Sequence, residues 1–152
     1  MLVLPLKVHT SVVAKFKRRC KEVYPKECLG YLLGNEQFGY LEVLNIWVPD
    51  DIEKHTTSES IYIQAAWALE VLEYCEEHEL TPLGTIHSHP YTYEEIKSRR
   101  FPPDHSTSEA DSLSGITNKV HGICRILQSQ KGRLTATVRF WGPEIPVKAL
   151  YV

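Results

Sequence analysis

The stretch Pro82-Leu83-Gly84-Thr85-Ile86-His87-Ser88-His89-Pro90 decides the fold. Its first five residues read as a short strand that runs directly into two histidines. In an extended chain, residues i and i+2 project to the same side. The imidazoles of His87 and His89 therefore converge on one point, as a metal ion requires. Zinc takes imidazole nitrogen at about 2.0–2.1 Å, and catalytic zinc sites combine three protein ligands with a water. A lone His-x-His is also found as a pair of exposed loop histidines, so the motif needs support from elsewhere in the chain.

Working downstream, Tyr91 to Ser106 reads as irregular, with Pro102 and Pro103 near its end. Thr107 or Ser108 then caps a helix predicted to about Asn118. The start of that helix, Ser108-Glu109-Ala110-Asp111, offers an acid in the first turn. Taken alone, Ser-x-x-Asp is better explained by capping and by the helix dipole than by a metal. His121 to Gln128 and Leu134 to Trp141 read as strands joined by a turn at Lys131-Gly132, and Val147 to Tyr151 as a last strand.

Working upstream, Gln64 to Glu79 is the clearest helix. Ala65, Ala68, Leu69, Leu72 and Cys75 are expected on its inner face, and Glu70, Glu73, Glu76 and Glu77 on its outer one. Ser60 to Ile63 reads as a brief strand after the polar loop Pro49 to Ser58. Tyr40 to Val48 alternates as a strand, and Cys28 to Gly34 reads as a buried one whose glycines imply close backbone approach. Thr10 to Pro25 bounds a first helix, with Val12, Val13, Phe16, Cys20 and Val23 at helical spacing. Glu27 sits between that helix and the next strand. Alone it reads as a solvated strand-edge acid. Strands and helices alternate early and a hairpin-rich sheet closes the chain, so the class is mixed α/β.

The 152 residues suit one domain with a real core. Hydrophobic residues are 43% and charged residues 24%, which excludes a disordered chain, a collagen and a coiled coil. A formal net charge of −2 gives no global pull toward nucleic acid. No apolar stretch reaches the roughly 18 residues of a membrane helix. Cys20, Cys28, Cys75 and Cys124 form no Cys-x-x-Cys pair, so a zinc knuckle is not expected. With no signal peptide legible at the N-terminus, they are read as reduced, buried thiols of a cytoplasmic protein.

Taken together, Pro-x-Glu-x-x-Gly at 25–30, then strand, helix, a strand ending in His87-Ser88-His89-Pro90, then Ser108-x-x-Asp111, form one pattern. This pattern resembles the JAMM family of zinc metalloproteases, the active branch of the JAB/MPN-type domains. The resemblance covers most of the chain, from the first helix through the third. It implies a mixed β-sheet flanked by helices, similar to the cytidine deaminase architecture, in a single domain over residues 1–152. It also implies one zinc ion, with His87, His89 and Asp111 as ligands. Glu27 would be the general acid/base and Ser108 the group that holds the water or stabilises the oxyanion. One departure is plain: eighteen residues, 90 to 107, separate His89 from Ser108, where family members place the two close together. The extra stretch is an insert at about residues 91–106. A longer loop costs little entropy, so strand and helix ends can still meet across it. His105 within the insert is a rival ligand.

The chemistry follows from these assignments. Zinc would polarise the scissile carbonyl and make water acidic enough to act at neutral pH. Glu27 would take the water proton and pass it to the leaving amine. No cysteine need act as a nucleophile. The implied substrate is a peptide or isopeptide bond at the C-terminal tail of a ubiquitin-like protein or its conjugate, with E1- and E2-like proteins encoded nearby as further partners. No membrane or nucleic-acid partner is expected. The chain length suggests a stand-alone prokaryotic member. Tyr91, Tyr93, Arg99, Arg100 and Phe101 are candidate substrate-binding residues of the insert, because aromatic and arginine side chains anchor interfaces, and the insert is expected to act as a flap.

Two other readings stay open: a hydrolase of a small amide or of a cell-wall or phage-related peptide, and an inactive scaffold. Scaffold members lose a histidine, the Asp or the Glu, and all are present here. A nucleobase deaminase would need Pro-Cys-x-x-Cys, which is absent. Charge is uneven: residues 1–34 carry seven Lys or Arg against Glu22 and Glu27, and residues 50–79 nine Asp or Glu against Lys54. Two solvated helix faces account for this better than docking surfaces do.

Overall fold

The computed structural model describes residues 2–98, 119–143 and 145–152. Seven strands form one mixed sheet in the order β6-β5-β4-β2-β3-β1-β7. β1 (Leu4–Val8) leads into helix α1 (Thr10–Val23), which is followed by the hairpin of β2 (Leu29–Gln37) and β3 (Tyr40–Trp47). A 3₁₀ turn (Ile52–His55) precedes helix α2 (Ala65–His78) and β4 (Thr81–Tyr91). A short helix α3 (Tyr93–Lys97) follows, and β5 (His121–Gln128), β6 (Leu134–Trp141) and β7 (Val147–Tyr151) complete the described elements. β2 runs antiparallel to both β3 and β4, and β5 antiparallel to β6. β4–β5, β1–β3 and β1–β7 are parallel. This is the mixed α/β sheet expected from the sequence.

α1 buries Val13, Phe16, Cys20 and Val23, the stripe that its spacing predicts. It packs on β3, β5 and β6. Phe16, Ile46 and Ile86 crowd the hydrogens of Gly30, where a Cβ would lie 2.5–3.3 Å from all three. Gly34 is held closer still, against the Glu42 backbone, where β2 shifts register against β3. The glycines of β2 are therefore set by close approach, as expected. All four cysteines are free and buried. Burial, and then the neighbouring Cys124 and Cys28 thiols, push the Cys20 thiol pKa well up.

Three expectations need correction. The inner face of α2 is Trp67, Val71 and Cys75, whereas Leu69 and Leu72 are 63% and 51% exposed. The helix is rotated because the Trp67 indole N–H donates to Asp51 at 3.0 Å and its ring packs edge-on against His55. A large aromatic buries more apolar area than the leucines it displaces. Ser60 to Ile63 is no strand: only an isolated bridge, Thr56 to Ile61, forms there. The segment after Pro90 is not wholly irregular either. β4 continues to Tyr91, and Thr92 caps α3 in a reciprocal box with Glu95. The predicted helix from Thr107 or Ser108 to Asn118 lies outside the described residues.

Candidate functional site

β4 sits between β2 and β5, so its backbone is held on both sides. His87 pairs with Leu29 of β2 and Ile123 of β5, and His89 pairs with Arg125. Gly30 and Ile86 face Phe16 of α1. By strand alternation, His87 and His89 leave the sheet on the opposite face. Their Nε2 atoms stand 3.0 Å apart, with ring centroids 4.9 Å apart. His87 is buried, at 7% exposure. Two N–H groups cannot face each other at this distance. One nitrogen donates and the other accepts, or a cation lies between them.

Glu27 arrives through β2. Beyond the Leu29–His87 pair, the Ser88 N–H donates to the Cys28 carbonyl at 2.8 Å, and the Cys28 N–H donates to Ser88 Oγ at 2.8 Å. Continuing the register by one pair sets Glu27 opposite His89, on the histidine face. Its backbone N–H turns outward and donates to the Thr57 carbonyl at 2.8 Å. Glu27 is half-buried. Glu27 is thus brought to the same end of the β2–β4 ladder as His87 and His89, which are far from it in sequence.

Around this end, Tyr91 packs edge-on against His89, at 6.5 Å between centroids, and its carbonyl accepts from Tyr24 Oη at 3.2 Å. Burial, and then the Glu95 charge, raise the Tyr24 pKa. Tyr93 opens α3, with its N–H donating to Gln128 Oε1 at 3.1 Å. Asp111, Ser108, Arg99, Arg100, Phe101 and His105 lie outside the described residues. Tyr24 is a part of the site that the sequence does not single out, and Ser88 stands in the histidine motif without a role assigned to it. The bonds of both are made to residues 60 or more positions away, partners that no local signal marks. A trough of about 560 Å³ lies elsewhere, lined by α1, the end of β3 and Tyr74, and neither histidine lines it.

The two histidine nitrogens have the spacing of a pair of zinc ligands. Two nitrogens at about 2.05 Å from a tetrahedral ion are about 3.3 Å apart, close to the separation here. Among the described residues, no group of three or more His, Cys, Asp or Glu is gathered to hold a metal. The described part of the site is thus a two-histidine edge, with an acid in register beside it.

The family of prokaryotic homologs of the JAB domain matches residues 9–95. The chain belongs to this family. The matched span contains Glu27, His87 and His89 and all of the β2–β4 ladder. A solution structure of a Desulfitobacterium hafniense protein matches the JAB-type chain with a TM-score of 0.57 and 13% identity, over 97% of this chain and 94% of that one. The crystal structure of a JAB1/MPN domain protein from Archaeoglobus fulgidus matches with a TM-score of 0.54 and 16% identity, over 97% and 98%. At these identities the likeness is one of fold. A search of curated proteins finds no match. No described helix of this JAB-type chain is long and apolar enough to cross a membrane.

Proposed function

We propose that the protein is a zinc-dependent peptidase or isopeptidase that cleaves at the C-terminal tail of a ubiquitin-like protein. The observation that carries this reading is the pair of Nε2 atoms 3.0 Å apart, at the end of the β2–β4 ladder into which Glu27 leads. His87 and His89 would hold the metal, with Asp111 as the third ligand that the family pattern supplies. When bound, zinc provides a Lewis acid and lowers the pKa of water toward neutrality.

The protein's own groups do the rest. Glu27 takes a proton from the attacking water and delivers it to the leaving amine, one carboxylate serving both half-reactions. Its backbone N–H is tied to the Thr57 carbonyl, which anchors the segment that carries the carboxylate. Ser108 donates a hydrogen bond to the oxygen that gains negative charge. The buried cysteines take no part: Cys20 is held as a thiol by burial, which is the opposite of what a nucleophile needs. Their reduced state agrees with a cytoplasmic setting.

The test uses a linear fusion of a ubiquitin-like domain to a fluorescent reporter. Zinc-loaded protein should release the reporter, and a chelator should stop it. Elemental analysis should find about one zinc per chain. Cleavage that persists with His87 and His89 both replaced would defeat the proposal.

A further inference from the structure

The strand end that carries Glu27 is closed by an unusual hydrogen bond. In a regular antiparallel ladder, the pair Cys28–Ser88 would exchange two backbone bonds. Only one is of that kind, from Ser88 N–H to the Cys28 carbonyl. The other uses the Ser88 side chain, whose Oγ accepts the Cys28 N–H at 2.8 Å. Ser88 is fully buried, as is Cys28. No alternative acceptor from solvent is therefore at hand for that amide. The residue before Cys28 is Glu27, and the residues flanking Ser88 are His87 and His89.

We infer that Ser88 is a positioning residue: its Oγ holds the Cys28 amide, and through it sets Glu27 against the two histidines. Ser88 touches neither substrate nor metal in this scheme. It replaces a backbone acceptor by a side-chain one at the point where β4 must also turn two imidazoles to the opposite face. Hydrophobic or small residues could fill the same buried space, but they have no acceptor for the Cys28 N–H. The inference rests on the proposed role of Glu27, and it predicts a requirement for a hydroxyl at position 88 that metal ligation alone does not impose. Small misplacements of a catalytic group cost up to about a hundred-fold in rate, so loss of the clamp should be visible in turnover.

The experiment compares wild type, Ser88→Ala and Ser88→Thr in zinc content, reporter-fusion cleavage and amide hydrogen exchange. In Ser88→Ala the Cys28 amide should exchange at least about ten-fold faster, and kcat should fall at least about ten-fold with KM and zinc stoichiometry kept. Ser88→Thr should restore both. Wild-type exchange at Cys28 together with wild-type kcat in Ser88→Ala would overturn the inference. So would a Ser88→Ala defect in KM or zinc content alone. If wild type itself never cleaves the fusion, the proposed function falls, and a Cys28 amide that exchanges no faster in Ser88→Ala overturns the clamp on its own.

Discussion

His87 and His89 face each other through Nε2 atoms 3.0 Å apart, and this separation is set by the backbone of one strand. Because β2 and β5 flank β4 at this point, the pair is held by the sheet, as the proposed zinc site requires. Preorganised donors lower the entropic cost of binding. Replacing either histidine by Ala should weaken zinc binding by more than the roughly 10–100-fold that loss of an outer-shell partner costs. Competition against a fluorescent zinc chelator measures it. The structure should survive, since the ladder needs only the backbone of these residues.

Tyr31, on the neighbouring strand β2, tests the cost of a buried polar group. It is fully buried, and its hydroxyl has no hydrogen-bond partner among the described residues. Burial pushes its pKa up to about 12. The folded state thus favours the neutral phenol, so its contribution is intact below the ordinary value near 10 and is lost as pH rises from about 10 to 12. The loss amounts to about 2–3 kcal/mol over that window. Tyr31→Phe should remove this alkaline loss. At neutral pH it should leave stability unchanged or raise it by about 1 kcal/mol, because no bond is broken. Urea melts at pH 7 and pH 11 distinguish the two outcomes from a simple packing loss.

Gly34 is where β2 slips its register against β3. A Cβ there would land on the Glu42 carbonyl oxygen, well inside contact distance. Backbone cannot swing aside as a flexible side chain can. Gly34→Ala should therefore destabilise by about 3 kcal/mol, the upper end for overpacked cores. Gly39→Ala faces open space but has φ +84°, so its cost should come from backbone strain alone, about 1 kcal/mol. Thermal melts of the two variants should rank them in that order.

Glu42 links the two parallel strands to the acid stability of the fold. Its carboxylate pKa is lowered, first by the 2.8 Å hydrogen bond with His9 and then by Lys7 at 3.7 Å. A lowered folded-state value means stability that is present above the unfolded carboxyl range near 4.3 and lost as pH falls through the folded value. Glu42→Gln should flatten the acid limb below about pH 4. The change at neutral pH should stay within about 1 kcal/mol, as for other partly exposed ion pairs.

Much of this molecule is legible in its sequence, and the failures share a cause. Helix α1 announces itself because Val13, Phe16, Cys20 and Val23 recur at helical period, and the structure buries those four. His87 and His89 are legible because strand geometry alone makes i and i+2 converge. The α2 face is not legible, because Leu69 and Leu72 look like core by hydropathy and are exposed. What decides the rotation is a distant partner, Asp51, which the Trp67 indole reaches across a loop. The meeting of the Glu27 segment with β4 is likewise a matter of strand pairing, since Leu29 lies opposite His87. Only the family pattern hints at it, because nothing in the local sequence specifies which strands meet. Ser88 falls in the same class, since its role exists only once Cys28 lies opposite.

The central claim is that Glu27 moves the proton in a zinc-dependent cleavage. The most direct measurement is the rate of reporter release by zinc-loaded wild type and Glu27→Gln, side by side, with zinc content determined for each. The account predicts equal zinc content and a rate lower by about 10²–10⁴-fold in the variant, the usual contribution of a general acid/base. Release at the wild-type rate by Glu27→Gln would contradict it.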